Sequence, residues 1–148
     1  LAREGAEVSR LDAVRLRAVV DRCWGFVGTD DATLAIETDL EILADESRLQ
    51  QLLENLFKNA VEHGGEDVVV TVGDLDDGFY LADDGPGIPA DERDQVFEVG
   101  YTTAEAGTGF GLGIVEEIAG AHGWEIAVSE SDDGGARFEI TGVEEVGD

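Results

Sequence analysis

The sequence predicts an α+β domain: a mixed, mostly antiparallel sheet packed on about three helices. Three observations point there. Two long segments, beginning near Asp45 and near Gly109, repeat apolar residues at the 3.6-residue spacing of a helix face. Several short runs alternate apolar and polar residues as strands do. The two patterns follow one another irregularly, without the strand–helix alternation of a parallel doubly wound fold.

In chain order, residues 1–10 are polar and weakly patterned and read as a linker or the tail of an upstream helix, so the chain looks like part of a longer one. Leu11, Val14, Leu16, Ala18, Val19 and Cys23 predict a short amphipathic helix from Leu11. Ala32 to Thr38 predicts a strand, and Glu41-Ile42-Leu43-Ala44 its hairpin partner. Asp45 is a candidate N-cap for a helix carried by Leu49, Leu52, Leu53, Leu56, Ala60 and Val61 and stopped after His63 by Gly64-Gly65. Val68–Val72 and Phe79–Ala82 predict strands joined through Gly73–Gly78. A glycine-proline loop from Asp83 to Pro89, a brief helix from Glu92 to Val96 and a loop of small residues from Glu98 to Gly107 lead to the second long helix, Gly109–Ala121. Trp124–Ser129 and Ala136–Thr141 close the domain as strands around Asp132-Asp133-Gly134-Gly135.

With 148 residues, 43% of them hydrophobic, the chain can bury a core and is not a disordered acidic tail. Apolar runs such as Val68-Val69-Val70 fall far short of the ~20 residues of a membrane span. The lone cysteine, Cys23, suits a reducing compartment and reads as a small buried apolar residue. The charge is extreme, with 35 acidic against nine basic residues and a net of −26. Such a surface repels nucleic acid and anionic membranes. The acids are spread over every segment, as a halophilic cytoplasm would explain, because molar salt shortens the screening length to about 3 Å.

Three segments carry chemistry. In Glu54-Asn55-Leu56-Phe57-Lys58-Asn59-Ala60-Val61-Glu62-His63, the residues Asn55, Asn59 and Glu62 or His63 line one helix face, with the apolar residues on the opposite side. Asparagine is a poor mid-helix residue, and its carboxamide oxygen is a hard ligand suited to Mg²⁺. Asp83-Asp84-Gly85-Pro86-Gly87-Ile88-Pro89 sets an acid at a strand end before a sharp turn, where it can accept a hydrogen bond from an exocyclic amine such as that of adenine. Gly107-Thr108-Gly109-Phe110-Gly111-Leu112-Gly113-Ile114-Val115 runs alternate glycines into a helix, aiming unpaired backbone N–H groups at an anion. It lacks the Gly-Lys-Ser/Thr of a P-loop, and it follows a loop where a dinucleotide fingerprint would follow a strand.

In this order the segments resemble the boxes of the GHKL superfamily of ATPases and kinases, and within it the histidine kinase catalytic domain of haloarchaeal-like sensor kinases. Asn55–Ala60 is similar to the N box, Asp83–Ile88 to the first glycine box, Val96-Phe97-Glu98 to the F box and Gly107–Val115 to the second glycine box. The resemblance covers about residues 11–141. It implies a two-layer α/β sandwich, the Bergerat fold, with ATP held between the helices under a mobile lid at about Glu98–Thr108. It implies that residues 11–148 form the catalytic domain and that residues 1–10 lead from a dimerisation helix. Asn59 would hold Mg²⁺ with Asn55 assisting, and both count as candidate catalytic residues. Asp83 would take the adenine amine, with Gly85, Gly87 and Ile88 around the base. Gly107, Thr108, Gly109, Phe110, Gly111 and Leu112 would surround the phosphates, with Lys58 and His63 as further contacts.

Hydrolase relatives carry a water-activating glutamate one turn before the metal asparagine. Here Asn55 stands there, and Glu54 is turned about 100° away. Glu62 and the Lys- and Arg-free span from Gln95 to Ile114 depart from the basic residues common in histidine kinases, and Ala136-Arg137 stand where a threonine is common. Neither His63 nor His122 sits in a phospho-acceptor pattern, so the acceptor histidine is expected upstream, on a dimerisation domain outside this chain. The expected function is phosphoryl transfer from ATP to that histidine and on to a response-regulator receiver, in the cytoplasm of a parent protein that many relatives anchor in a membrane. The alternative is a non-catalytic nucleotide-sensing module of the same fold, and a stand-alone ATPase is the reading Asn55 opposes.

Overall fold

The computed structural model describes residues 11–27, 32–64, 67–85, 112–130 and 134–146. Its elements are β1 (Asp12–Arg15), α1 (Leu16–Val27), β2 (Thr33–Glu37), β3 (Glu41–Ala44), α2 (Glu46–Gly64), β4 (Val69–Leu75), β5 (Gly78–Asp83), α3 (Gly113–Ala121), β6 (Glu125–Glu130) and β7 (Ala136–Thr141). The main sheet has the order β2-β4-β5-β7-β6, with β2 and β4 parallel and every other neighbour antiparallel. A two-stranded sheet, β1 against β3, lies apart from it, and the C-terminal segment joins its free edge through Leu43 N–H to Glu144 C=O (2.9 Å) and Val146 N–H to Glu41 C=O (2.7 Å).

One face of the sheet is apolar and covered. Val70 and Val72 of β4, Phe79 and Leu81 of β5, and Phe138 and Ile140 of β7 are buried together with Leu16, Val19, Val20 and Cys23 of α1, Leu49, Leu52, Leu53, Leu56 and Phe57 of α2, and Val115 and Ile118 of α3. This is the α+β sandwich that the patterns predict. On the other face Arg137 lies over the Tyr80 ring at 4.1 Å and pairs with Glu139 at 2.7 Å. No helix among the described residues is long and apolar enough to cross a membrane.

Two expectations fail at the N-terminal end. Residues 12–15 form β1, and the helix begins only at Leu16. Their register against β3, Asp12 opposite Ala44 through Arg15 opposite Glu41, satisfies backbone groups along β3. The second failure is the β2–β3 hairpin. The chain turns at Thr38, whose hydroxyl accepts the Leu40 N–H at 3.1 Å, and carries β3 away to β1, while β2 pairs in parallel with β4 from Thr33 opposite Val69 to Glu37 opposite Gly73. Leu40 C=O then accepts the Leu16 N–H at 3.0 Å and ties this connection to the start of α1. The β4–β5 turn is narrower than predicted, because both strands extend to leave only Asp76-Asp77 between them. Helix α3 starts at Gly113 rather than Gly109, with buried Leu112 as its N-cap residue. A stretch of alternate glycines is a costly way to begin a helix.

The predicted N-cap of α2 is present, whereas its predicted Gly64-Gly65 stop lies partly outside the described residues, the helix running through Gly64. Asp45 Oδ1 accepts the Arg48 N–H at 3.3 Å, and Asp45 C=O takes the first helical bond of α2 from Leu49 at 2.8 Å. Helix α3 ends in a Schellman motif: Trp124 N–H reaches Ala119 C=O at 2.8 Å and Gly123 N–H reaches Gly120 C=O at 3.0 Å, with Gly123 at φ 81°. Cys23 is buried, its Sγ 3.5 Å from Gln50 C=O, and burial, then Glu54, pushes its thiol up to about 12, so it is an inert core residue.

His122 does more than end a helix. Its Nε2 accepts the Asp45 N–H at 3.0 Å, its Nδ1 lies 2.9 Å from Ile118 C=O, and its ring stacks on Trp124 at 4.1 Å. These partners require the neutral ring with the proton on Nδ1. The imidazole thus joins the end of α3 to the N-cap of α2. Burial lowers its pKa below the ordinary 6.5, outweighing the Ile118 carbonyl and Asp45, which act the other way. The unfolded chain therefore binds more protons below pH 6.5, and this contribution to stability is complete above that pH and lost as pH falls through the window beneath it. Thermal unfolding between pH 7.5 and 5 should show the midpoint falling more in the wild type than in His122→Gln. Equal slopes would remove His122 from the account.

Candidate nucleotide site

Strand β5 alternates Phe79, Leu81 and Asp83 toward the helical layer, and all three are buried. A carboxylate thus stands where the pattern calls for a third apolar residue, and a buried carboxylate must be compensated. Asp83 Oδ1 accepts the Gly85 N–H at 2.9 Å, which starts the loop leaving β5, and the Ala136 N–H of β7 at 3.2 Å. Beside it, Asp84 Oδ1 accepts the Val69 N–H at 2.8 Å and fastens the same loop to the start of β4.

Helix α2 packs on α1, α3 and β5, and it brings the second buried polar residue. Asn59 follows Leu52 by two turns and Leu56 by three residues, so it lies on the apolar side of the helix. It is 5% exposed, and its Oδ1 is the one buried side-chain oxygen or nitrogen among the described residues without a hydrogen-bond partner. The expected separation of a polar face from the apolar one therefore holds only in part: Asn55 is half-buried at the margin, whereas Asn59 lies among the leucines. Asn55 Nδ2 donates to Gln51 C=O at 2.8 Å. Glu54 Oε2 accepts from Gln50 Nε2 at 3.0 Å, one turn back along the helix. Lys58 is exposed.

The third component is the start of α3. Leu112 is buried, and no side chain caps the helix. Its first N–H groups therefore have no side-chain acceptor from the cap residue, an arrangement that suits an anion. The structure thus joins Asn59, Asp83 and the Leu112–Gly113 helix start through packed elements. Gly87, Ile88, Gly107, Thr108, Gly109, Phe110 and Gly111, the F box and the lid lie outside the described residues, as do the side chains of Glu62 and His63. Sequence reasoning missed the Ala136 main-chain donor. The sequence marked the position only through Ala136-Arg137 standing where the family commonly has a threonine, and through the Gly134-Gly135 turn before it.

An orphaned, buried carboxamide oxygen, a buried carboxylate and a helix start without a side-chain cap are thus brought into one packed region, and each is chemically suited to a polar ligand. Comparison with known proteins gives the family. Residues 44–144 match the family described as histidine kinase-, DNA gyrase B-, and HSP90-like ATPase. The sensor histidine kinase ZraS of Escherichia coli O157:H7 is 34% identical over 141 residues, which cover 88% of this chain and 31% of that protein. The chain thus spans about a third of the length of this curated relative. The mycobacterial sensor histidine kinase MprB superposes with a TM-score of 0.75 at 27% identity, over 91% of this chain and 97% of that structure. Histidine kinase ThkA, solved in complex with the response regulator protein TrrA, shares the fold with a TM-score of 0.71 at 22% identity, over 91% of this chain and 41% of that one. The chain belongs to the histidine kinase-, DNA gyrase B- and HSP90-like ATPase family, and within it is an ATP-binding catalytic domain of the sensor histidine kinase kind.

Proposed function

We propose that this domain transfers the γ-phosphoryl group of ATP to a histidine on a dimerisation domain outside this chain, from which a response-regulator aspartate receives it. The observation that carries the reading is the missing general base. One turn before Asn59 stands Asn55, whose amide is spent on Gln51 C=O, and the nearest carboxylate, Glu54, is engaged with Gln50. Among the described residues no free carboxylate stands at that helix position to take a proton from water, so bound ATP would wait for another nucleophile. Catalysis then consists of positioning and charge neutralisation. Asp83 receives the adenine amine, and the α3 start receives phosphate oxygens. The orphaned Asn59 Oδ1 fits Mg²⁺, which would neutralise phosphate charge when bound.

Residues 1–10 are proposed as the lead from the upstream dimerisation helix and residues 11–148 as the catalytic domain, working on the cytoplasmic side where ATP is found. The −26 charge is proposed as adaptation to a salt-rich cytoplasm. The nucleotide-sensing alternative draws on Gln95–Ile114, which contain no Lys or Arg to neutralise phosphate.

Calorimetry with Mg²⁺ and ATP in molar KCl should show binding that weakens by about 10- to 100-fold in Asp83→Asn, the worth of a hydrogen bond to a charged group. Equal affinity in that variant would remove Asp83 from the site. Labelled ATP should mark the upstream histidine of the full-length protein and leave this chain alone unlabelled. Binding without transfer would establish the sensing module.

A further inference from the structure

The first turn of β7 passes closer to Asp83 than any residue bearing a side chain allows. A Cβ on Gly135 would lie 2.1 Å from Asp83 C=O oxygen, 2.4 Å from Asp83 Oδ1 and 2.7 Å from the Asp83 carbonyl carbon. Two of these atoms are main chain of β5, so the contact cannot be relieved by turning a flexible side chain. The need is for space and not for conformation. Among the described glycines the positive φ values belong to Gly123, Gly134 and Gly142, and Gly135 is not one of them. One residue on, the Ala136 N–H reaches the same Oδ1 at 3.2 Å, and from the other side the Gly85 N–H reaches it at 2.9 Å. The carboxylate is gripped between the loop that leaves β5 and the strand that returns beside it.

From this geometry we infer that Gly135 is a specificity-determining positioning residue, whose bare backbone lets β7 hold the Asp83 carboxylate in the orientation that accepts the 6-amino group of adenine. A carboxylate fixed in that orientation meets a 6-oxo purine acceptor to acceptor, so the same grip that favours ATP disfavours inosine and guanosine nucleotides. The inference rests on the reading of Asp83 as the adenine contact. Neighbouring Gly134 provides an internal control. Its φ of 90° strains any side chain placed there, yet the nearest atom to its added Cβ is Glu130 Oε2 at 4.0 Å, and nothing of Asp83 is in reach.

The test is calorimetry of Mg-ATP and Mg-ITP in molar KCl on the full chain, on Gly135→Ala and on Gly134→Ala, with thermal unfolding of each. The wild type should prefer ATP. Gly135→Ala should lose about 10- to 100-fold in ATP affinity with little change for ITP, so that the preference collapses. Gly134→Ala should lose stability and keep the preference. If Gly135→Ala does not fold, Ala136→Pro takes its place. It removes the donor to Asp83 at the first residue of a strand, where proline is tolerated. A folded Gly135→Ala, or in its place Ala136→Pro, that still prefers ATP overturns the inference alone. A wild type that binds ATP and ITP equally overturns the role of Asp83, and one that binds neither overturns the proposed function.

Discussion

Asn59→Leu is expected to unfold at a higher temperature than the wild type and to lose Mg-ATP affinity by more than about 100-fold. The two effects have one origin. The buried Asn59 Oδ1 lacks a partner among the described residues, and such a group costs about 1–3 kcal/mol of desolvation. Leucine has the same number and branching of side-chain heavy atoms, continues the line of Leu52 and Leu56, and is the better helix former. The ligand side of the account is the loss of a hard oxygen in a site where a metal would neutralise phosphate charge, worth several kcal/mol. Denaturant unfolding and calorimetry on the same two proteins check both halves. A leucine variant that is less stable would mean that Asn59 has a structural task, and one that still binds Mg-ATP as tightly would remove Asn59 from the ligand site.

The largest purely structural effect is expected from Phe57→Ala. Phe57 is fully buried and meets the Trp24 ring edge-to-face at 5.4 Å and 87°, joining α1 to α2. Removing it should cost about 3–5 kcal/mol, with a little more for the aromatic pair. In a domain of this size that lowers the thermal midpoint by about 10 °C or more. Urea unfolding in molar KCl measures it directly. Phe57 lies only two residues before Asn59, so ATP affinity in the still-folded variant is informative as well. Retained affinity would show that the Asn59 end of α2 is held by α3 and β5 and does not depend on α1.

How far the residues alone could lead depended on whether each pattern was local. Helix α2 was legible because Asp45, the leucine spacing and Gly64 all act within one helix. The β4–β5 pair was legible for the same reason, its strands being neighbours in sequence. Strand β1 was not. Only Val14 of its four residues is buried, and Val14 and Leu16 fit a helix face as well as a strand edge until β3 supplies the partner. Alternation in β2 announced a strand, but period two says nothing about which strand pairs with it, and β4 lies beyond a whole helix. In the site, Asn59 stood out as a residue poorly suited to mid-helix, and Asp83 as an acid at a strand end before a glycine turn. Their inward orientation and the Ala136 donor were hidden, since a main-chain N–H leaves no signature in residue type.

The bond from Ala136 to Asp83 spans 53 residues, and it joins strands that are sheet neighbours but far apart along the chain. Such pairings are made late, because the entropy of closing the long intervening loop must be met before the contact offers anything in return. The α1–α2 pair and the β4–β5 hairpin can form earlier, yet neither contains a finished purine contact. Competence to hold nucleotide should therefore emerge only after β7 docks beside β5. A bound nucleotide would then stabilise only chains in which β7 is in place.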